Sequence, residues 1–452
     1  MKFYLSLCVG KIIAILIRFI DKKRGTNLSG EIALKIDPNM VKHFKGIDYS
    51  KVLLITGTNG KSSTNNLINH IFKVNGKKIV TNLEGANLLS GIATSMLKAS
   101  NLSGVIDADF LIFETDERTL PLIYPQIPAK NIIITNLQKD QIQRNGDPDF
   151  IYRKLMHTFN SKELRIFVNN EEPRSKAFED IAKETVSYSV VENEKSFYKD
   201  GSYVSMPCTK CYNKITFEYY NTDGIGKFTC MGCDHKSDMN SNYKIEDIDF
   251  SKAEFKCQGV IFQMPYSLPY MLYNYAAAIA TSREIGKISM EDISKSFLSF
   301  KNIGGRYEMM KYKDKIIKFM RIKQENPETL QSCLNEIASD TCEKAVCFGL
   351  GIVKDFVPYY TGMAYTYDCD FSQLANANVE KFLCFSDVVC FDTANRLIYE
   401  GIDRSKISIY ENEDLNLIFA EIEKLNAKTI YLTFRLKSFE KIREYIDKEG
   451  RK

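Results

Sequence analysis

An apolar run, Lys51-Val-Leu-Leu-Ile55, passes directly into Thr56-Gly57-Thr58-Asn59-Gly60-Lys61-Ser62-Ser63. No other stretch of the chain restricts the fold so sharply. A short apolar run ending in a glycine turn reads as a fully buried strand. Ser62 to Val74, opening on small polar residues, reads as a helix. Glycines at such a turn let backbone N–H groups approach phosphate oxygens, and the helix N-terminus adds positive potential. A lysine then reaches the outer phosphates and a hydroxyl can ligate Mg²⁺. The general spacing G-x-x-x-x-G-K-[ST] is not met, because Ile55 stands where its first glycine should be. The shorter Gly57-Thr58-Asn59-Gly60-Lys61-Ser62-Ser63, flanked by strand and helix, still predicts phosphate binding.

A buried strand feeding a helix needs parallel neighbours. Phe110 to Phe113, Ile132 to Thr135 and Arg165 to Val168 supply further short apolar runs, with helical patterns between several of them. The expected class is therefore α/β with a mostly parallel sheet. Residues 196–240 break the pattern and read as a polar, Tyr-rich insertion. Helical text resumes at Leu268, and Gly304-Gly-Arg-Tyr-Glu308 marks a domain junction. Beyond it, NPETLQSCLNEIA, TANRLIYEG and LNLIFAEIEKLN read as helices and AVCFGL, KFLCFS, ISIY and TIYLTF as strands, before a last basic helix. The expected division is an opening segment at 1–45, a central domain at 46–303 carrying the insertion, and a second α/β unit at 304–452.

The insertion holds Cys208-x2-Cys211-x18-Cys230-x2-Cys233, the spacing of a zinc site. Four thiolates close the metal's tetrahedron and leave no position for a substrate, so the expected site is structural. The other eight of the 12 cysteines are scattered, most of them in apolar strings, which suggests a reducing compartment. Lys210, Lys214, Lys227 and Lys236 are offset by Glu218, Asp223 and Asp234. Lys plus Arg is 61 against 57 Asp plus Glu over 452 residues. Nucleic acid is therefore not an expected partner. The N-terminal MKFYLSLCVGKIIAILIRFIDKK is apolar, but Lys11 and Arg18 interrupt it, so it is too short to span a bilayer. It has no A-x-A-like cleavage site, so no signal peptide is expected. A helix packed on the protein and a peripheral membrane contact both fit it.

Gly57 to Ser63 resembles the ATP loop of the Mur ligases, which activate a carboxylate as an acyl phosphate for attack by an amine. Further segments resemble that family's motifs in the same order. They are Asn82 to Asn87, Phe113-Glu-Thr-Asp-Glu117, Asn136 to Arg144, Val168 to Pro173, Tyr273-Asn-Tyr-Ala-Ala277 and Gly305-Arg-Tyr-Glu308. The opening from Gly25, the Asn136 to Arg144 segment and the four-Cys ribbon are similar to the MurT branch. DTANRLIYEGI resembles that branch's MALRLKYAG region. The resemblance implies a P-loop Mur-ligase central domain with a zinc-ribbon insertion, followed by a smaller Rossmann-like α/β C-terminal domain.

It also implies roles. Lys61 and the loop amides would bind ATP, Ser62 and Glu114 would hold Mg²⁺, Asn274 would contact adenine, and Arg306 would reach the phosphates. Asp116 and Glu117 are left open between function and surface. The expected reaction is amidation of the α-carboxyl of D-Glu in the lipid-linked peptidoglycan precursor. No Cys/His pair sits in a nucleophile context, so ammonia would come from a GatD-type glutamine amidotransferase subunit. The expected place is the cytoplasm, with peripheral contact at the inner face of the membrane left open. The C-terminal part departs from the branch. Its D-x-S-W-x-W-D segment becomes Gly362-Met-Ala-Tyr365-Thr-Tyr367-Asp368, so the first Asp is lost and Asp368, or Asp370, would have to serve as the catalytic carboxylate. Lys323 to Pro327 only partly keeps K-N-P-x-G, Gln143 replaces an Asp, and Thr433 to Lys437 replaces a TYTAM-like stretch. The usual reaction with a rearranged site, a shifted acceptor and a non-catalytic paralogue all remain open.

Overall fold

β1 (Val52–Thr56) is buried along its whole length. Its alternate residues serve two different cores: Val52 and Leu54 join one, Leu53 and Ile55 the other. A strand buried on both faces belongs inside a sheet with helices on each side. That is what the computed structural model contains. It describes the chain except residues 21–26, 84–85, 143–145, 161, 199–205, 223, 239, 301–306, 324, 352–362, 387–388, 436–437 and 450–452. The chain forms two compact units, 1–138 with 147–302, and 139–146 with 303–452.

In the first unit the strands after β1 are β2 (Ile79–Thr81), β3 (Phe110–Glu114), β4 (Asn131–Ile134), β5 (Arg165–Asn169) and β6 (Glu184–Val190). β7 (Ile215–Thr222) and β8 (Ile225–Cys230) form a separate hairpin. β9 (Tyr243–Asp249), β10 (Glu254–Cys257) and β11 (Val260–Gln263) return to the main sheet. Its order is β11-β10-β9-β6-β5-β4-β1-β3-β2. β2 to β6 and β9 pair in parallel with β1 at the switch between β3 and β4. Only the β9-β10-β11 end is antiparallel.

The sequence reading missed those last three strands. The β10–β11 turn is Gln258-Gly259, with φ of 49° and 77°. A glutamine in the left-handed region does not announce a hairpin as Asn-Gly does. Leu67, Ile68, Ile71 and Phe72 of the helix after β1 and much of the helix Pro269–Glu284 pack on one face. The N-terminal helices and the helix Pro148–Phe159 contribute to the other.

Helix α1 (Lys2–Ile20) packs on α2 (Leu28–Ile36), and α3 (Lys61–Val74) and α4 (Leu89–Ala99) follow. Phe3 and Leu7 are buried, and the Ser6 hydroxyl donates to Ala33 O at 2.8 Å. Lys11 Nζ donates to Leu97 O at 2.6 Å and to Ser100 O, at the C-terminal end of α4. That cation meets the negative end of the α4 dipole, a geometry worth about 0.3–1 kcal/mol. No helix among the described residues is long and apolar enough to cross a membrane.

The second unit is a six-stranded sheet. Its strands are β12 (Tyr307–Tyr312), β13 (Lys315–Ile322), β14 (Lys344–Gly349), β15 (Val379–Phe385), β16 (Ile407–Tyr410) and β17 (Thr429–Arg435). They run in the order β12-β13-β17-β14-β15-β16, all parallel except β12 against β13. The helices Pro327–Ser339, Cys390–Tyr399, Leu415–Glu423 and Phe439–Glu449 cover it. The sequence reading gave no strand at β12 and β13. The Lys313-Asp314 turn between them carries no glycine, and Lys313 itself takes φ 52°.

Candidate active site

The loop between β1 and α3 is held open by its neighbours. Gly60 has φ +83°, and a Cβ there would fall 2.3 Å from Asn274 Oδ1. Gly57 has φ +128°, and its Cβ would fall 2.3 Å from Thr135 Oγ1. Neither position accepts another L-residue without displacement. Asn59 N donates to Asn136 Oδ1 at 2.8 Å, and Asn59 Nδ2 to Gln138 Oε1 at 3.1 Å. Thr58 N donates to Asn136 O at 2.8 Å. The segment after β4 thus fixes the loop's backbone. Asn274, 5% exposed, accepts from Thr64 Oγ1 at 3.3 Å and lies directly against Gly60.

Lys61 is buried and folded back on its own loop. Its Nζ donates to Gly57 O, to Thr58 O at 3.2 Å and to Glu117 Oε2 at 3.0 Å. Burial by itself would lower its pKa. The carboxylates of Glu117, Glu114 and Asp116 outweigh that and hold it above the ordinary lysine value. Ser62 is exposed and Ser63 half-buried at the helix start. Glu114 ends β3, the neighbour of β1. Its N–H donates to Asn82 Oδ1 at 2.9 Å, and Asn87 Nδ2 donates to its Oε1 at 3.4 Å. Asp116 chelates Arg118, whose Nε donates to Oδ1 at 2.9 Å and whose Nη2 donates to Oδ2 at 2.6 Å. Burial alone would raise the Asp116 carboxyl, but that guanidinium holds it below the usual range.

Lys61, Glu114 and the N-terminal end of α3 therefore meet at the C-terminal edge of β1 and β3, where open α/β sheets bind ligands. A buried lysine paired with Glu117, with Glu114 at the end of β3 and an exposed Ser62 hydroxyl, suits a polyphosphate with a divalent cation. Sequence reasoning left Glu117 open. Its signal was only that it follows the β3 strand end, and the ion pair became visible through a contact 56 residues apart in sequence.

The four cysteines of the β7–β8 region come together. Cys208 Sγ and Cys233 Sγ lie 3.7 Å apart, Cys211 Sγ and Cys230 Sγ 3.4 Å, and all four sulfurs fall within 4.8 Å of one another. A tetrahedral zinc with about 2.3 Å bonds needs sulfurs roughly 3.8 Å apart, so this set fits one. Lys210 N donates to Cys208 Sγ and Gly232 N to Cys230 Sγ. Donation from Asn213, by side chain and backbone, pulls the Cys211 thiol down to about 6. His235 stands apart, its Nε2 2.9 Å from Pro173 O.

Below the hairpin lies a network the sequence did not suggest. Tyr273 OH donates to Glu171 Oε2 at 3.0 Å, Val190 N donates to the same oxygen at 2.7 Å, and Asn221 Nδ2 reaches Tyr273 OH at 3.1 Å. Burial pushes Glu171 up to about 7.

Asp368 belongs to the second unit. It ends a short helical turn, Ala364–Asp368, and its Oδ1 pairs with Lys139 Nζ at 2.7 Å on a half-exposed surface. The neighbouring Arg396 is buried, donates to Cys369 O at 2.9 Å and stacks over Tyr367 at 5.1 Å. In the same unit Lys323 Nζ donates to Asp140 Oδ2 at 2.5 Å, and Asn326 Nδ2 to Asp140 Oδ1 at 3.2 Å. Asp370 Oδ1 accepts from Ser372 N at 3.0 Å. Arg306, Gly362, Gln143 and the Gly304-Gly305 pair lie outside the described residues.

Comparison with known proteins bears on this arrangement. Residues 55–282 match the Mur ligase middle domain, and residues 324–435 match the MurT ligase C-terminal family. The chain belongs to the MurT-type Mur ligases. A lipid II isoglutaminyl synthase (glutamine-hydrolyzing) subunit MurT of Staphylococcus aureus is 25% identical over 362 residues, 80% of this chain and 80% of its own. The corresponding subunit of Streptococcus pneumoniae is 25% identical over 416 residues, 90% of this chain and 89% of its own. Among solved structures, a pseudomurein peptide ligase type C from Methanothermus fervidus superposes with a TM-score of 0.67 at 16% identity, over 90% of this chain and 81% of that one. The structural likeness concerns the fold.

For a MurT-type Mur ligase, the expected loop residues Gly57 to Ser63 and Glu114 lie together in the first unit. Asn274 lies behind Gly60 and braces the loop. Cys208, Cys211, Cys230 and Cys233 form one cluster. Asp368 is in the second unit, in the ion pair with Lys139.

Proposed function

We propose that this MurT-type Mur ligase is the ATP-using subunit of an amide ligase that acts on a lipid-linked peptidoglycan precursor. The observation that carries this reading is the occurrence, in one chain, of the braced Gly57–Lys61 loop with Glu114 and Glu117 and of a MurT C-terminal sequence at 324–435. The relatives' names supply the substrate class and the word subunit.

In this reading ATP phosphorylates the α-carboxyl of D-Glu in the precursor peptide. Ammonia then displaces phosphate to give D-isoglutamine. A GatD-type glutamine amidotransferase partner supplies the ammonia. Lys61 turns from Glu117 to the outer phosphates, and the Gly60 and Lys61 amides at the start of α3 line the phosphate chain. Ser62 and Glu114 would hold Mg²⁺, which neutralises charge during phosphoryl transfer. Arg306 would join the phosphates, and Asn274 keeps the loop in shape next to the nucleotide. The cluster Cys208, Cys211, Cys230, Cys233 would hold a structural Zn²⁺. Asp368 would be the carboxylate nearest in sequence to the position of the family's lost Asp, and would act in the second half of the reaction once released from Lys139.

A second reading has one observation in its favour. Gly362 stands where the branch has an Asp, and Asp368 is engaged by Lys139. That combination favours a different carboxylate acceptor or a non-catalytic nucleotide-binding role. The test is to co-purify the chain with its candidate amidotransferase and follow glutamine-dependent amidation of lipid II by mass shift, with ADP release in the same tube. Amidation that Lys61→Ala abolishes is the expected result. ATP binding with neither ADP release nor mass shift would move the assignment to the second reading.

A further inference from the structure

Helix α1 is apolar on two sides, and only one of them is used. Phe3, Ser6, Leu7 and Gly10 turn inward and are buried. At 100° per residue, Tyr4, Leu5, Cys8, Ile12, Ile15 and Leu16 fall on a single outward arc about 120° wide. They are exposed there: Tyr4 by 48%, Leu5 by 57%, Ile12 and Ile15 by 56%, Leu16 by 54%. Single exposed aliphatic side chains are ordinary, but a continuous stripe of them marks an interaction surface.

The charge around the stripe selects its partner. α1 contains Lys2, Lys11 and Arg18 and no acidic residue. Residues 1–24 hold six basic residues against Asp21 alone, a net +5, while the whole chain is only +4. The chain's entire positive excess is thus concentrated in the segment that carries the apolar stripe. The inner face is also latched, because Lys11 is tied to the carbonyl end of α4. The helix therefore lies along the unit and presents its outer face sideways, as an in-plane amphipathic element does.

We propose that this face of α1 docks the chain on an anionic lipid bilayer, with the aliphatic stripe at the acyl boundary and the net positive charge of residues 1–24 favouring anionic headgroups. A narrow two-residue seam would suit a coiled-coil dimer. The wide arc and the net positive charge of residues 1–24 fit a negatively charged surface better. The inference goes beyond the ligase reading and does not depend on it.

The test uses the full chain and vesicles of about three parts phosphatidylglycerol to seven of phosphatidylcholine, with pure phosphatidylcholine as comparison. Neither contains peptidoglycan precursor or nucleotide. In co-sedimentation the wild type should bind the anionic vesicles, and raising the salt to roughly 0.5 M should weaken binding several-fold. The lipid concentration for half-binding should rise at least about tenfold in Leu5→Gln/Ile12→Gln/Leu16→Gln, whose thermal melting should match wild type because all three positions are exposed. A second measurement does not rely on that variant. The chain has no Trp, so Ile12→Trp is a single-site reporter, and its emission should shift to the blue on adding anionic vesicles. Lys61→Ala should bind vesicles as wild type does, which separates this result from the fate of the ligase reading. Wild type remaining in the supernatant, an unshifted Ile12→Trp, or equal binding by the triple variant would overturn the proposal. So would a wild-type dimer that the triple variant converts to monomer, or loss of a co-purified amidotransferase in that variant, since each would put a protein on this face.

Discussion

Replacing Glu117 by Gln removes one charge from the Lys61–Glu117 pair and changes little else. Both side chains are nearly buried, at 8% and 6% exposure, with 3.0 Å between Nζ and Oε2. At that distance the gross attraction is about 5–6 kcal/mol for an effective dielectric near 20. Breaking a buried pair by deleting one partner typically costs about 3–5 kcal/mol. Gly57 O and Thr58 O still accept from the ammonium, and a Gln carbonyl can replace one of its bonds, so the low end, about 3 kcal/mol, is expected. For a unit of this size that is a fall in Tm of about 6 °C. The pH dependence carries a sign as well. The Lys61 ammonium is held above its unfolded value of 10.5, so its share of the stability is complete below that value and lost only as pH rises past the folded one. The difference in Tm should therefore be constant across neutral pH. The assay is thermal denaturation followed by circular dichroism for wild type, Glu117→Gln, Lys61→Met and the double variant. A coupling of about 2 kcal/mol or more is expected from that cycle. A single variant melting within about 2 °C of wild type, or a coupling below about 0.5 kcal/mol, would refute the argument that this pair holds the Gly57–Lys61 loop.

Two further outcomes can be stated. Burial raises Glu171 and Glu172 to about 7 from an unfolded 4.5, so the folded state binds more protons and stability should fall as pH rises from about 5 to 8. The loss is on the order of 3 kcal/mol per carboxyl, and Glu171→Gln should gain in Tm relative to wild type at the alkaline end, whereas a pH-independent difference would count against it. The purified chain should hold about one zinc per molecule by elemental analysis. Cys208→Ser/Cys233→Ser should lose it and expose the 206–237 hairpin to protease, while full protease resistance in the metal-free variant would argue against a structural role.

Much of the Gly57–Ser63 loop was legible because it is local. Strand, glycines, lysine and helix follow one another within 23 residues, from Val52 to Val74, and each step is dictated by burial or by backbone stereochemistry. The two C-x2-C pairs were legible from their spacing, but the approach of Cys208 to Cys233 and of Cys211 to Cys230 joins one pair to the other and belongs to the tertiary structure. The hairpin pairs were harder. Lys313 and Gln258 turn the chain in conformations that their side chains do not advertise, because cross-strand pairing outweighs the local cost.

The sequence by itself thus determined an α/β chain with a glycine-rich loop and a lysine after β1, two C-x2-C pairs and an apolar, basic N-terminal helix. Only the tertiary structure decided what those parts face. It set Glu117 rather than solvent against Lys61, put Asn274 behind Gly60, engaged Asp368 with Lys139, and turned one side of α1 inward while leaving the other outward. The physical reason is common to all four. Each is a contact between residues far apart in the chain, or a choice between two equally apolar faces, and neither periodicity nor spacing carries information about the surface that arrives from elsewhere.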